Sequence, residues 1–222
     1  MIFENMDRII FAGDSVTDMG SISPVGEDPF AGGTGLGNGY VRMISNFLNA
    51  WYPELTLRLT NSGISGNTSR DLLNRWERDV INLHPQWISI CIGINDVWRR
   101  FDRPALTEFQ VSLEEYEKNV ETMVKSSKSV AKGVFLMTPY FMEPQKNDKL
   151  RICMDQYGII CRKIAEMHQV TLIDLQAMFD RYFKYRHPIY VAGDRVHPNA
   201  IGATLIARAF LLACGFDFSK ID

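Results

Sequence analysis

Four polar clusters in the sequence hold the residue types that acyl transfer needs: Gly13-Asp14-Ser15, Asn61-Ser62-Gly63, Gly93-Ile94-Asn95-Asp96 and Asp194-Arg195-Val196-His197-Pro198-Asn199. A serine hydroxyl becomes a competent nucleophile only when a base removes its proton as it attacks. An imidazole suits that task because its unperturbed pKa, about 6.5, lies close to neutrality. A carboxylate three residues before the histidine, across a tight turn, can reach Nδ1, fix the tautomer that presents Nε2 to the serine, and stabilise the imidazolium. Asp194 and His197 have that spacing, and Ser15 is the candidate nucleophile. The oxyanion formed on attack needs donors already in place; the backbone N–H groups of Ser15 and Gly63 and the side-chain amide of Asn95 could supply three. Each cluster alone has an innocent reading, since Gly followed by Asp, Ser or Asn also serves as an ordinary strand-to-loop junction or helix cap. Four together, with complementary types, point to ester chemistry.

The elements around these clusters place them at strand ends. An apolar strand over 8–13 ends on Gly13, and a helical pattern follows with Tyr40, Met43, Ile44, Phe47, Leu48 and Trp51 on one face, closed by Pro53. Residues 55–60 alternate apolar and polar with period two, and a helix carries Leu72, Leu73, Trp76 and Val80. Residues 87–93 are nearly continuous in apolar side chains, as in a strand covered on both faces. A helix through Leu113, Tyr116, Val120, Met123 and Val124, a strand over 133–138, a helix through Tyr157, Ile160, Cys161, Ile164 and Met167, and a strand over 170–174 complete the series. The last helix is expected to start at Pro198 and end before Gly215. Five strand–helix alternations without repeat or linker predict one domain over 1–222: a three-layer α/β fold with a flavodoxin-like, parallel five-stranded sheet of order 2-1-3-4-5 and helices on both faces. The alternating second strand belongs at the edge. In such sheets the functional crevice lies beyond the carboxyl ends of the strands, where three of the clusters fall.

Composition excludes several classes. The 222 residues are 46% hydrophobic and 23% charged, and 24 Lys and Arg against 26 Asp and Glu leave a net charge of −2, with no basic stripe for nucleic acid. No apolar stretch approaches the ~20 residues of a membrane span, and the amino terminus lacks the basic region and apolar run of a signal peptide. Cys91, Cys153, Cys161 and Cys214 show no CxxC spacing and are expected to be free thiols in a reducing cytoplasm. The Gly32–Gly39 run does not fit GxGxxG and is expected to be a mobile loop bordering the crevice. His84, His168 and His187 lack zinc-site spacing; His187 is the one rival base, without a carboxylate at turn spacing. Asp14 and Asp18 flank the nucleophile; Asp14 is read as an anchor for loop amides and Asp96 as one for its own loop, neither as a catalytic acid. Trp98, Phe101, Tyr140, Phe141 and Tyr190 each have a plain packing explanation, yet several at one rim would form a stacking surface for a sugar, with Trp98 and Tyr190 the nearest candidates.

GDSV at 13–16, Gly63 within NSGISGN, GIND at 93–96 and DRVHPN at 194–199 resemble, in order and spacing, the four blocks of the GDSL/SGNH hydrolases. That resemblance implies Ser15 as nucleophile, His197 as base, Asp194 as its orienting carboxylate, Gly63 and Asn95 as oxyanion donors, and no metal or cofactor. Val16 stands where Leu or Ile is commoner, an apolar exchange, and the absence of GxSxG sets the chain apart from the α/β-hydrolase elbow. GINDVW, GISGNT and MDQYG further resemble a bacterial subgroup that includes acetylxylan esterases, which implies short-chain, chiefly acetyl, esters of sugars or xylo-oligosaccharides as substrates and a homo-oligomeric state. Gly193 departs from that subgroup, where a bulky tryptophan precedes the aspartate; the smaller residue would widen the acyl or sugar pocket. Lysophospholipase or thioesterase activity on the same machinery, or a non-catalytic binding module on the same fold, are the alternatives.

Overall fold

Alternate residues of the first strand enter two different cores: Ile9 and Phe11 pack on one face, and Ile10 and Ala12 on the other, all fully buried. That division is what a strand covered on both faces requires. The computed structural model describes residues 1–28 and 33–220. Its strands are β1 (Arg8–Gly13), β2 (Gly26–Glu27), β3 (Arg58–Gly63), β4 (Trp87–Cys91), β5 (Gly133–Met137) and β6 (Thr171–Ile173), hydrogen-bonded in the order β2-β3-β1-β4-β5-β6. Five of them are parallel and reproduce the expected order 2-1-3-4-5.

The sixth was not expected. Gly26 and Glu27 pair antiparallel with Asn61 and Thr60, so the strand read as an edge is second from the edge. Its alternation has a physical source in Glu27, whose carboxylate takes hydrogen bonds from Arg8, Arg58 and Thr60. The strand also spans Arg58–Gly63, three residues later than its pattern suggested, because it pairs one-to-one with Arg8–Gly13. Asn61, Ser62 and Gly63 therefore end the strand instead of following it.

Helices α1 (Ser15–Asp18), α2 (Tyr40–Trp51), α3 (Ser69–Asn74), α4 (Trp76–Asp79), α5 (Ile94–Asp102), α6 (Leu113–Val130), α7 (Lys149–His168), α8 (Leu175–Tyr182) and α9 (Ala200–Ala213) surround the sheet. Tyr40, Ile44, Phe179, Ile206 and Phe210 from α2, α8 and α9 cover one face; Leu72, Trp76, Val120, Met123, Ile160 and Ile164 from α3, α4, α6 and α7 cover the other. The helix expected through Leu72 to Val80 is broken into α3 and α4 at Arg75, whose side chain turns inward, as described below. The last helix begins at Ala200, two residues later than expected. Asn199, not Pro198, terminates it, its Oδ1 accepting from the N–H groups of Ile201 and Gly202, and Gly215 follows its end at φ +73°.

Candidate active site

The ladder pairs Gly13 with both Gly63 and Cys91, so β1, β3 and β4 end level with one another and their following residues meet on one rim. Two glycines allow that meeting. A Cβ on Gly13 would lie 2.3 Å from Thr17 Oγ1 and 2.5 Å from the Cys91 carbonyl, and one on Gly63 would lie 2.3 Å from the Asp18 N. Helix α1 is thereby pressed onto the end of β3.

Asp14 caps α1: its Oδ1 accepts from the Val16 N–H at 3.0 Å, and its carbonyl accepts from Thr17 and Asp18. The Ser15 N–H, first in the helix, has no acceptor among the described residues, as a helix N-terminus leaves it. Ser15 Oγ lies 2.9 Å from His197 Nε2, and His197 Nδ1 lies 2.6 Å from Asp194 Oδ2. Asp194 Oδ1 takes the backbone N–H groups of Val196 and His197 at 2.9 and 2.8 Å, which winds the turn tightly around one carboxylate. Burial pulls the Asp194 carboxyl upward, but these hydrogen bonds from His197 and Val196 outweigh it and hold it below the ordinary carboxylate range.

The turn is docked from several sides. The Met142 N–H donates to the Arg195 carbonyl at 2.9 Å, Tyr140 Oη to the Val196 carbonyl at 3.2 Å, and the Asn199 N–H to the Val191 carbonyl at 2.8 Å. Arg195, at φ +65°, pairs with Glu143 and lies over the Phe141 ring. A left-handed φ on a non-glycine residue costs free energy, and these contacts offset it between Asp194 and His197. Tyr140 and Phe141, for which the sequence offered packing beside a place at the rim, thus act beneath the turn as packing and anchor.

Asn95, in the first turn of α5 and only 2% exposed, sends Nδ2 to the Asn67 carbonyl at 3.0 Å, and its second amide proton has no acceptor among the described residues. The Gly63 N–H reaches the same rim, where it donates to Asn61 Oδ1 at 2.9 Å. Asp96 points away from the rim: its carboxylate accepts from the Ser69 N–H and hydroxyl, and burial raises it to about 6 against those bonds. Asp18 similarly binds Ser21 and Ser65. The anchoring role read for Asp14 agrees with its partner, whereas Asp96 holds Ser69 at the start of α3 and not its own loop.

Of the two sugar-stacking candidates, the fold brings Trp98 to the dyad, with ring centroids of Trp98 and His197 5.9 Å apart. Tyr190 is 53% exposed, lies under Arg186, and touches the turn through its carbonyl, which accepts from Asn199 Nδ2. His187 is spent as a cap, Nδ1 accepting from the Ile189 N–H. In the glycine run, Gly32 lies outside the described residues. Over 33–39 the segment is tied down: the Gly35 N–H donates to Asp28 Oδ1, and the Leu36 carbonyl accepts from Asn61 Nδ2. Sequence reasoning missed Arg75, which is buried and donates to the Gly13 carbonyl, to the Ser62 carbonyl and hydroxyl, and to Asn67 Oδ1. It ties the ends of β1 and β3 to the loop that holds Asn95. No local signal marks it, because its partners are assembled only by the fold.

A model of the GDSL-like lipase/acylhydrolase family matches residues 11–205. The chain belongs to that family. Within it, the chain is 46% identical over 214 residues to an acetylxylan esterase of Geobacillus stearothermophilus, covering 96% of both chains. The crystal structure of Axe2, an acetylxylan esterase of that organism, superimposes with a TM-score of 0.93 at 46% identity over 98% of each chain. LAE5, an α/β hydrolase from a lake metagenome, does so with a TM-score of 0.93 at 44% identity over 97% of this chain and 98% of its own. Axe2 has been solved as three catalytic mutants in which a serine, an aspartate, or the histidine three residues beyond that aspartate is replaced by alanine. Another Axe2 variant carries isoleucine in place of a tryptophan immediately before the aspartate. This family member has Gly193 there, with a φ outside the left-handed region and open space where a Cβ would stand. Gly193 borders a cleft of about 370 Å³ shared with Glu143, His187, Ile189 and Arg195.

Proposed function

We propose that residues 1–222 form one catalytic domain, a serine esterase that removes acetyl groups from xylo-oligosaccharides or related sugars. The observation that carries this is the unbroken relay from Ser15 Oγ through His197 to Asp194, at 2.9 and 2.6 Å. Ser15 Oγ attacks the acetyl carbonyl as His197 Nε2 takes its proton. The tetrahedral oxyanion accepts from the Ser15 N–H and from Asn95 Nδ2; the Gly63 N–H contributes as a donor shared with Asn61. His197 then protonates the departing sugar oxygen, breaking the ester bond and leaving acetyl-Ser15. Water, deprotonated by the same imidazole, attacks the acyl carbon and releases acetate with Ser15 restored. Trp98 offers the sugar an aromatic face beside His197.

Four unpaired thiols, three of them buried, support action in a reducing compartment such as the cytoplasm. Among the described residues no helix is long and apolar enough to cross a membrane. A homo-oligomeric state, implied by resemblance, is checked by light scattering.

Acetate release from acetylated xylo-oligosaccharides, measured beside aryl esters of increasing acyl length, tests the reading. Wild type should release acetate, and Ser15→Ala should lose roughly 10⁴-fold or more of the turnover; turnover retained by Ser15→Ala, or no labelling of Ser15 by a fluorophosphonate, would sink it. One observation favours a broader acyl range: the space at Gly193. Gly193→Trp should narrow the preference towards acetate, and an unchanged chain-length profile would remove Gly193 from the specificity wall.

A further inference from the structure

An asparagine can donate to an oxyanion only if its amide is the right way round. Rotated by 180°, the same side chain presents a carbonyl oxygen, which would repel the developing charge. Two neighbours of Asn95 set that orientation. Arg99, one turn later on α5, donates from Nη2 to Asn95 Oδ1 at 2.8 Å, while the Asn67 carbonyl accepts from Nδ2 at 3.0 Å. A guanidinium has donors only and a carbonyl acceptors only, so each can be satisfied by one end of the amide. The flipped state would face Nδ2 with a cation and Oδ1 with a carbonyl, both in a site where Asn95 is almost wholly out of water.

We propose that Arg99 is a positioning residue for the esterase reaction: it fixes and polarises the Asn95 amide so that the free Nδ2 proton faces the oxyanion. The inference rests on the reading of Asn95 as an oxyanion donor. Arg99 is itself held: Nη1 pairs with Asp102, its side chain is largely buried, and the guanidinium carbon lies 5.8 Å from the Trp98 ring centroid. A charge-assisted bond to Oδ1 draws electron density from the amide and makes its N–H a stronger donor. The charge is also felt across the rim, where it opposes the rise that burial imposes on the Asp14 carboxyl. A plain helix-stabilising role for Arg99 predicts none of the kinetic pattern below.

The test is steady-state kinetics on an aryl acetate with Arg99→Ala, Arg99→Lys, Asn95→Ala and the Asn95→Ala/Arg99→Ala double variant, with thermal melts for each. Losing an oxyanion donor outright lowers turnover about 10²–10³-fold, so losing its orienting partner should cost less, roughly 10- to 100-fold in kcat, with KM within about twofold. Arg99→Lys, which keeps a cationic donor, should recover most of that loss. In the Asn95→Ala background, Arg99→Ala should add less than about twofold, since there is no amide left to orient. Unchanged kcat in Arg99→Ala overturns the proposal, as does a full additional loss in the Asn95→Ala background. If Arg99→Ala is poorly folded, Arg99→Met keeps the aliphatic packing and the same outcomes decide. A fully active Ser15→Ala would instead defeat the esterase reading, whatever Arg99 does.

Discussion

The two halves of the candidate site are built differently. Asp14 and Asn95 are 1% and 2% exposed, and the strand ends around them are fastened by Arg75. The side chains of His197 and Asp194 are 38% and 45% exposed, on a surface turn that arrives from the far end of the chain. The difference suits the work proposed for each half. Groups that stabilise a developing charge act best as fixed dipoles away from water. In the proposed reaction His197 passes a proton to the leaving oxygen and takes one from water, so it and the carboxylate that orients it must stay open to both. The buried half therefore gets its rigidity from the sheet, and the exposed half from ties to residues 140–143.

This contrast can be broken from either side. Asp194→Asn should have the largest effect, lowering kcat about 10⁴-fold by favouring the wrong imidazole tautomer. A loss below tenfold in single-turnover assays would mean that the backbone of the turn, not its carboxylate, orients His197. Asn95→Ala should lower kcat by about 10²–10³-fold with little change in melting temperature; an unaltered kcat would leave the hole to the Ser15 and Gly63 amides. Glu143→Gln removes one of several ties on the turn, so its cost in kcat should stay below about tenfold. A larger loss would make the Arg195–Glu143 pair the main support of the turn.

The smallest effect concerns Asp14. Burial raises its carboxyl from 3.8 to about 7, with the charge of Asp96 adding to the rise and the Val16 N–H opposing it. Because the folded state holds this proton more tightly than the unfolded chain, the associated stability is complete below 3.8 and is lost as the pH climbs to about 7. Asp14→Asn keeps an acceptor for the Val16 N–H but cannot ionise, so it should flatten the decline in melting temperature across that window. A decline identical to wild type would assign it to other groups, Asp96 first.

Much of this was legible from residue types at strand ends. The five parallel strands, their order, and the approach of His197 to Ser15 could be read because apolar periodicity locates strands and because the chemistry prescribes its own residue types. Arg99 was also within reach, four residues after Asn95 on one helical face, although helical spacing alone does not distinguish an orienting contact from a solvated pair. Arg75 was not legible, since its role depends on carbonyls 62 and 13 residues away in sequence. Nor was the break at Arg75 that divides α3 from α4: the apolar spacing from Leu72 to Val80 continues across it, and only the inward pull of the guanidinium interrupts the helix. The place of the Tyr190 ring under Arg186 was not legible either, because nearness in sequence to Asp194 says nothing about where a ring points.

The two-residue strand β2 has a consequence for how the molecule behaves in company. Without it, β3 would present a row of unpaired amides and carbonyls to any extended chain that drifted past, the usual seed of intermolecular strand addition. Gly26 and Gly35 make the seal possible: a methyl on Gly26 would lie 2.0 Å from the Gly35 carbonyl, and one on Gly35 would lie 2.0 Å from the Glu27 carbonyl. The glycine run that invites a nucleotide-binding reading is, on this side, a gasket. Bulkier residues at Gly26 or Gly35 should reveal themselves first as aggregation at high concentration, before any loss of esterase turnover.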